Sequence, residues 1–313
     1  MCDSYPRNRR GISLMEVLIS AFILAVGLLG VASLIPIAGF QAAEASRNDR
    51  AATIGRSALS DVKLRGLLNP AMWAGVNDPN DPNDPFLRNT ATQPFMIDPL
   101  GSVNLGIPRV NLRAWPDPSA PAMTPELAKH IFRSHDDLSV SIPAASNDVS
   151  QQVFLPADVD PSAGTVIKRA SEHEYSWMVT VSPAGDPTSA LSRQNELLLV
   201  SIVVFFQRAS DAVSERTIGA SVVGGKLPNG RVVLAGDAKN VRENDWLLLT
   251  GSNLNQWYRV VTIARHPGGG GYNATVAGPD RDKAVTGAVL FDRVIGVYEY
   301  SMRREELSQW IWP

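Results

Sequence analysis

The amino-terminal part of the chain joins an uncharged apolar run to an amphipathic stretch. Residues 17–40 carry no charged side chain, and a helix of this length, at about 1.5 Å per residue, crosses a bilayer core of about 30 Å. Residues 41–68 carry charges of both signs. Asn69-Pro70 is expected to end the helix, because the residue before proline avoids the helical conformation. Apolar residues in the second stretch recur near one face, which predicts a stripe that packs on other elements: Ala51, Ile54, Ala58 and Val62.

Residues 70–171 have a different character. Fourteen of the 22 prolines lie between residues 70 and 161, and proline interrupts both helices and sheets. We predict an irregular, Pro-rich region with one short helix at residues 125–133. Thr124 is the expected cap of that helix and Pro125 its first residue.

Residues 172–313 follow the pattern of β-strands. Large apolar residues alternate from Tyr175 to Val181, which predicts a strand with one buried face. The continuous apolar run from Leu197 to Phe206 predicts a central strand covered on both sides, and it is too short for a second membrane crossing. Together these patterns predict an α+β fold in which the long amino-terminal helix packs on an antiparallel β-sheet head.

Turn-rich segments separate several short apolar runs in the last third of the chain. Their spacing is typical of small barrels and sandwiches, and we predict a β-barrel-like subdomain at about residues 217–290. It is either added to the head sheet or inserted before the final strand, since residues 294–302 could return to the main sheet. The expected strands are Val232–Ala235, Trp246–Thr250, Tyr258–Ala264, Asn273–Ala277 and Val289–Tyr300.

The charge balance and the cysteine content argue against nucleic-acid binding, disulfide bonds and thiolate metal sites. The chain has 29 basic and 31 acidic residues, a formal net charge of −2, whereas proteins that grip phosphate backbones usually carry a basic excess. We therefore expect no nucleic-acid partner. The sole cysteine, Cys2, excludes an intrachain disulfide and a metal site built from several thiolates.

Two patterns suggest metal ligands, and both are weak. Asp78, Asp81 and Asp84 repeat at three-residue intervals and carry the oxygen ligands that Ca²⁺ prefers. The glycine and the distal glutamate of an EF-hand loop are missing, however, and Asn-Asp-Pro units form turns without a metal. His130 and His135 would point about 140° apart on a helix, a poor geometry for one shared ion. We expect no metal site.

The usual catalytic motifs are missing as well. The sequence has no Gly-x-Ser-x-Gly motif, the signature of a nucleophile elbow. Gly224-Gly225-Lys226 lacks both the first glycine and the Ser/Thr of a phosphate-binding loop. We therefore predict a structural protein that is not an enzyme and needs no cofactor.

The residues before the apolar run set its orientation. Arg7, Arg9 and Arg10 are opposed only by Asp3. By the positive-inside rule this end stays in the cytoplasm, and the chain beyond the apolar run is exported. A plain signal anchor would show the same pattern.

Glu16 does not suit a plain anchor. A carboxylate at membrane depth costs on the order of 2–4 kcal/mol or more, and such a residue is a functional hypothesis by default. Cleavage after Gly11 would leave the α-amine of Ile12 at a similar depth, but that amine cannot easily reach Glu16 of its own helix. The amine of a neighbouring copy could reach it. A buried pair formed only between subunits would favour assembly and fix the helix register.

The residues around Glu16 resemble a known motif. Gly11-Ile12-Ser13-Leu14-Met15-Glu16-Val17-Leu18 is similar to the type IV prepilin cleavage motif, and residues 25–32 resemble the helix of minor pilins of the type IV pilus modification group. The resemblance implies a basic leader at residues 1–11, cleavage after Gly11 by a prepilin peptidase, and N-methylation of Ile12. It also implies that Glu16 guides assembly with other pilins. Ile12 stands where phenylalanine is commoner in the family.

These features predict a minor pilin or pseudopilin, a structural subunit of a type IV pilus or pseudopilus. Its expected place is the inner membrane, with a single crossing, a cytoplasmic amino terminus and an exported head. The alternatives are a type II secretion pseudopilin and a membrane-anchored adhesin or DNA-binding tip module. The expected organisation is a leader at 1–11, a helix at 12–69, a Pro-rich region at 70–171 and a β-rich head at 172–313.

Overall fold

The chain forms two compact units, residues 1–49 and residues 50–313. The computed structural model describes residues 14–74, 93–101, 105–114, 121–134, 138–141, 168–171, 175–183, 197–209, 213–222, 231–236, 238–251, 254–267, 270–279 and 285–303.

The amino-terminal helix, α1, runs from Leu14 to Leu64. Its carboxyl-terminal part lies in the second unit and presents one buried stripe there, which confirms the predicted apolar face. The stripe includes one glycine that allows close packing. Its residues are Ala51, Ile54, Gly55, Ala58 and Val62.

α1 ends at Leu64, whereas the Asn-Pro signal predicts an end at Leu68. Gly66 adopts a left-handed conformation with φ of 58°, which glycine tolerates at no steric cost. The amide of Leu67 then donates to the carbonyl of Val62 at 3.0 Å. This is the Schellman arrangement that satisfies the last carbonyls of a helix, so glycine stops the helix before proline can.

The Pro-rich region contains more regular structure than predicted. Asn69 caps the 3-10 helix Pro70–Met72. Helix α2 runs from Pro125 to Phe132, and its capping residue Thr124 accepts a hydrogen bond from the amide of Leu127 at 3.4 Å. Four short strands also form in this region, because each finds its hydrogen-bond partners on a neighbouring strand. They are β1 (Phe95–Ile97), β2 (Arg109–Val110), β3 (Leu138–Ser141) and β4 (Lys168–Ser171).

The other strands build a sheet and a barrel. They are β5 (Tyr175–Pro183), β6 (Leu197–Phe206), β7 (Glu215–Val222), β8 (Arg231–Ala235), β9 (Trp246–Gly251), β10 (Leu254–Arg265), β11 (Gly271–Ala277), β12 (Gly287–Phe291) and β13 (Val294–Arg303). The five-stranded sheet has the order β13-β6-β5-β1-β2, and the closed barrel has the order β10-β11-β8-β7-β12-β9. Within the sheet all neighbours are antiparallel except β1 and β2. The long helix, the sheet head and the barrel confirm the predicted α+β fold class.

The barrel is inserted between β6 and β13, two strands that pair with each other in the sheet. Of the two arrangements that the sequence leaves open, insertion is the one found. The predicted single strand Val289–Tyr300 is wrong, because Asp292 and Arg293 interrupt it and Arg293 takes a φ of 64°. The part before the interruption belongs to the barrel, and the part after it belongs to the sheet. β7 has no counterpart among the predicted strands.

Both faces of the central sheet strands are buried. On one face Trp177 and Val179 share an apolar core with α1 residues such as Ala58. On the other face Met178 packs in a second core with barrel residues such as Trp257. All nine residues of β5 are buried, so the prediction of a single buried face for this strand is wrong. The prediction that β6 is covered on both sides is confirmed.

The packing of α1 on β13 depends on Gly55. A Cβ atom at this position would overlap the ring of Tyr298. We expect Gly55→Ala to lower the free energy of unfolding by about 1–2 kcal/mol. Overpacking costs about 1–3 kcal/mol, whereas the gain in helix propensity is at most about 1 kcal/mol. Urea unfolding of the full chain in detergent measures the difference.

A serine on the same helix provides the control. Ser57 is exposed, so Ser57→Ala gains helix propensity without a clash and should leave stability unchanged or slightly raised. If Gly55→Ala proved as stable as the unmodified chain, the close contact with Tyr298 would be refuted.

Candidate functional site

The first unit presents an apolar helix surface on which none of the residues that the structure describes packs. From Leu14 to Arg50 every residue of α1 is exposed, including Phe22 and Phe40 at 70% each. By length and composition this helix could cross a membrane. An apolar surface of this extent needs lipid or other protein to cover it.

The polar residues between Leu14 and Phe40 are two serines, whose hydroxyl groups form hydrogen bonds within the helix, and one charged residue, Glu16. The hydroxyl of Ser20 donates to the carbonyl of Glu16 at 2.7 Å, and that of Ser33 donates to the carbonyl of Gly30 at 2.7 Å. Their polarity is therefore satisfied within the helix, which lowers the cost of placing them in an apolar medium. Glu16 is the only charged side chain between Leu14 and Phe40.

The structure locates only part of the predicted processing site. Glu16 lies in the first turn of α1, where the exposed amide groups and the helix dipole favour a negative charge. Gly11 and Ile12 lie outside the described residues. The sequence motif alone therefore links them to Glu16.

A second group of interest, the junction cluster, consists of Asp98, Arg109, Arg208 and Glu215. Asp98 follows β1, Arg109 begins β2, Arg208 follows β6 and Glu215 begins β7. The cluster thus joins three parts of the sheet to the barrel. It is almost fully removed from water, since the side chains of Asp98 and Glu215 are 1% exposed and that of Arg208 is 3% exposed.

Arg208 is the centre of the junction cluster. Its Nη1 and Nη2 donate to Oδ1 and Oδ2 of Asp98 at 2.9 and 2.6 Å, the bidentate geometry of strong arginine–carboxylate pairs. Its Nε donates to Oε1 of Glu215 at 3.0 Å. Nη2 of Arg109 lies 3.0 Å from Oε2 of Glu215 and 3.3 Å from Oδ2 of Asp98. Two cations therefore neutralise two anions inside the head.

The contacts in the cluster favour the charged forms of Asp98 and Arg208. Burial alone would raise the pKa of Asp98, but Arg208, Arg109 and the backbone amide of Gly101 hold it below its ordinary value. Burial would lower the pKa of Arg208, but Asp98 and Glu215 raise it instead. A carboxylate with a lowered pKa and an arginine with a raised pKa exchange no protons near neutral pH. The cluster is suited to joining elements, not to acid–base catalysis.

Further hydrogen bonds fasten the barrel to the sheet. Nε1 of Trp257 donates to Oγ1 of Thr180 at 2.9 Å. The hydroxyl of Ser182 donates to the carbonyl of Asn255 at 2.6 Å. Both bonds connect β10 to β5 across the apolar core that the barrel and the sheet share. The barrel is therefore held by polar contacts as well as by burial.

No local pattern in the sequence points to the junction cluster. Asp98 and Arg208 are separated by 110 residues, and Glu215 stands at the start of a strand that the apolar pattern does not predict. The one available signal is the charge of Arg208, two residues after the end of the long apolar strand β6.

The other candidate residues stay apart or lie outside the described residues. His130 is exposed on α2, and His135 is not described. The Asp78, Asp81 and Asp84 repeat and the Gly224-Gly225-Lys226 segment are not described either. Within the described ranges there is no group of three or more His, Cys, Asp or Glu side chains that could hold a metal ion.

Comparison with known proteins bears on the amino-terminal segment. No curated protein and no solved structure matches the chain at a significant level. Residues 6–32 match the family model described as the prokaryotic N-terminal methylation motif. This range includes Gly11, Ile12 and Glu16 as well as the first part of α1. The chain therefore carries a prokaryotic N-terminal methylation motif at its amino-terminal segment, which is consistent with a type IV prepilin-like protein.

Proposed function

We propose that this protein is a minor pilin or pseudopilin, a structural subunit that assembles through α1 into a type IV pilus or a secretion pseudopilus. The match to the methylation motif over residues 6–32 is the observation that carries the proposal. The exposed apolar surface of α1 supports it, because such a surface must be covered by lipid before assembly and by neighbouring helices afterwards. The same helix carries the apolar segment in the first unit and packs on the sheet in the second unit.

Processing explains why a charged residue stands at the start of an apolar helix. A prepilin peptidase would hydrolyse the peptide bond after Gly11 and leave a free α-amine on Ile12, which would then be N-methylated. The new terminus stays cationic and lies near the depth of Glu16. Pairing with the Glu16 carboxylate of an adjacent subunit would remove two unpaired charges from an apolar medium at once.

The charges around the helix set the direction of insertion. Arg7, Arg9 and Arg10 would keep the leader in the cytoplasm, where it is available to a peptidase of the inner membrane. The head would be exported. A pilus subunit and a type II secretion pseudopilin share this topology, and deletion of the gene separates them by which system fails.

The mature amino terminus tests the proposal directly. Intact-mass and peptide mass spectrometry of protein from cells that contain the prepilin peptidase should show a chain that begins at Ile12 with one added methyl group. In cells without the peptidase, residues 1–11 should remain attached.

A substitution at the cleavage position provides the matched control. Gly11→Val should retain the leader even with the peptidase present. The substitution places a β-branched side chain on the residue that precedes the peptide bond to be cleaved. Retention of residues 1–11 by the unmodified chain in peptidase-positive cells would refute the processing step.

A further inference from the structure

The two edges of the five-stranded sheet are finished differently. At one edge β2 has only two residues, and the chain that follows it is covered. There the amide of Ala74 donates to the carbonyl of Asn111 at 2.9 Å, and the amide of Arg113 donates to the carbonyl of Met72 at 2.7 Å. At the other edge β13 has ten residues. None of the strands that the structure describes pairs with the outer side of β13.

β13 is open to solvent along its length. Residues 294–302 are all at least partly exposed except Gly296, whereas in the neighbouring strand β6 residues 198–205 are all buried except Leu199. Proteins usually protect such an edge with lysine, proline or irregular pairing. β13 has neither lysine nor proline, and its one register shift lies at its start, between Val294 and Gly296. The rest of the strand is a regular template for another strand.

The backbone groups on the outer side of β13 can be assigned. The amide of Phe206 in β6 donates to the carbonyl of Arg293, next to the start of β13, at 3.1 Å. Because the backbone groups of a strand alternate between its two neighbours, the even-numbered residues of β6 bond to β13. Their partners in β13 are also even-numbered, as with Val200 opposite Tyr300. The N–H and C=O groups of Ser301 therefore point away from β6.

Both faces of β13 are held by the head itself. On one face Tyr298 and Met302 pack against the core that α1 shares, and on the other face Val297 packs against the core that the barrel shares. Nε2 of Gln256 in the barrel donates to Oε1 of Glu299. The strand is therefore fixed before a partner arrives, which lowers the entropy cost of pairing.

The carboxyl-terminal residues of the same chain are a poor partner for this edge. Residues 304–312 follow β13 directly and contain no Gly, Pro, Asn or Asp, the residues on which tight hairpin turns depend. The sequence therefore does not predict a hairpin that returns along β13.

A second copy paired antiparallel through the same edge is also unsuitable. Such pairing places a two-fold axis perpendicular to the joined sheets. The buried stripe of α1 reaches from Ala51 to Val62 in the core of the sheet, so the helix runs along the sheet. The two-fold axis would therefore turn the two helices in opposite directions, whereas subunits anchored in one membrane share one direction.

We propose that the outer edge of β13 pairs with an extended segment of a different subunit of the same assembly. The inference rests on assembly through α1, which is part of the proposed function. Backbone hydrogen bonds supply the affinity, as in other cases of strand addition to a sheet edge. The side chains of β13 set the chemistry of the partner, which has apolar residues opposite Tyr298 and Tyr300 and polar or basic residues opposite Glu299 and Ser301.

Removal of one outward N–H tests the pairing. Proline is tolerated in an edge strand where the missing N–H would face away from the sheet, so Ser301→Pro should fold but lower the assembled share about ten-fold. This is the factor that corresponds to the loss of one or two hydrogen bonds between chains. Ser301→Thr keeps the N–H and should assemble like the unmodified chain. Quantification in sheared filaments against the membrane fraction measures the share, and circular dichroism establishes folding.

A lysine at the same position blocks the edge in a second way. Ser301 is exposed, and lysine is a common protection of edge strands. Ser301→Lys leaves the pairing of β13 with β6 intact, so a loss of assembly in this variant is separate from a folding defect. The control is Ser221→Lys, at an exposed position of the closed barrel, which should assemble like the unmodified chain.

A photoreactive residue identifies the partner. Ser301 is replaced by p-benzoylphenylalanine in the full chain, cells that assemble the protein are irradiated, and the products are analysed by peptide mass spectrometry. We expect products that join position 301 to a different protein with an N-terminal methylation motif. The same replacement at Ser221 should not give these products.

The remaining outcomes count against the proposal. Products that join position 301 only to residues 304–313 or to a second copy would overturn it, as would equal products from both positions. Equal assembly of Ser301→Pro, Ser301→Lys and the unmodified chain would refute the strand pairing alone and leave the proposed function intact. An unmodified chain that keeps its leader and is absent from filaments refutes the proposed function and the strand pairing together.

Discussion

Replacing Arg208 by methionine should lower the free energy of unfolding of the head by about 3–5 kcal/mol, the cost of removing one partner from a buried ionic group. Asp98 and Glu215 would be left with only Arg109 between them, and Arg109 makes a single contact to each at 3.3 and 3.0 Å. Urea unfolding of the full chain in detergent, followed by tryptophan fluorescence, measures the change. Trp257, which lies in the core between sheet and barrel, is one of the seven tryptophans that contribute to the signal.

The pH dependence distinguishes unpaired charge from lost packing. Because the pKa of Asp98 is lowered in the folded state, its contribution to stability is present above the ordinary carboxylate pKa of about 3.9 and is lost as the pH falls below that value. The difference in the free energy of unfolding between Arg208→Met and the unmodified chain should therefore become smaller as the pH is lowered.

Two further variants complete this test. The quadruple variant Asp98→Asn, Arg109→Met, Arg208→Met, Glu215→Gln removes all four charges of the cluster and should recover part of the lost stability. Arg56→Met, at an exposed position of α1, should change stability by no more than about 0.5 kcal/mol. If Arg208→Met also changed stability by no more than about 0.5 kcal/mol, the junction cluster would contribute little to the stability of the head.

The elements that the sequence predicts well are those set by neighbouring residues. The apolar face of α1 at Ala51 and Ile54 follows from helical periodicity, and the strand from Leu197 to Phe206 follows from its continuous apolar run. The end of α1 also depends on local chemistry. There the proline signal at Pro70 outweighed the glycine signal at Gly66 in the prediction, although the glycine comes first along the chain and ends the helix.

The features that escape prediction depend on contacts far apart in sequence. Met178 and Thr180 look like the solvent side of a two-faced strand until the barrel, inserted after β6, covers them. β1 is a strand because it pairs with β5, although nothing in its three residues demands it. The junction cluster is the extreme case, since the partners of Arg208 become neighbours only after the sheet and the barrel have formed.

The candidate processing site has the opposite character. Gly11, Ile12 and Glu16 form a pattern of residues close together in the sequence, so its recognition needs no tertiary structure. A family model can therefore match residues 6–32 alone.

Glu16→Ala should leave cleavage after Gly11 and methylation of Ile12 intact but reduce assembly at least about a hundred-fold. In the proposed mechanism the peptidase acts on the bond after Gly11, whereas the carboxylate acts later, as the partner of an amine on another subunit. Loss of one member of a buried pair costs about 3–5 kcal/mol, and each 1.4 kcal/mol is a factor of about ten in an equilibrium constant. Quantification of the protein in sheared filaments against the membrane fraction measures the assembled share.

An acidic residue elsewhere on the same helix makes this test specific. Glu44 lies on α1 beyond the uncharged run, where water can solvate a carboxylate, so Glu44→Ala should assemble far better than Glu16→Ala. Glu16→Gln keeps the shape of the side chain and removes its charge, and it should fail as Glu16→Ala does. Normal assembly of the glutamine variant would show that shape matters and charge does not, which would remove the reason for a carboxylate at membrane depth.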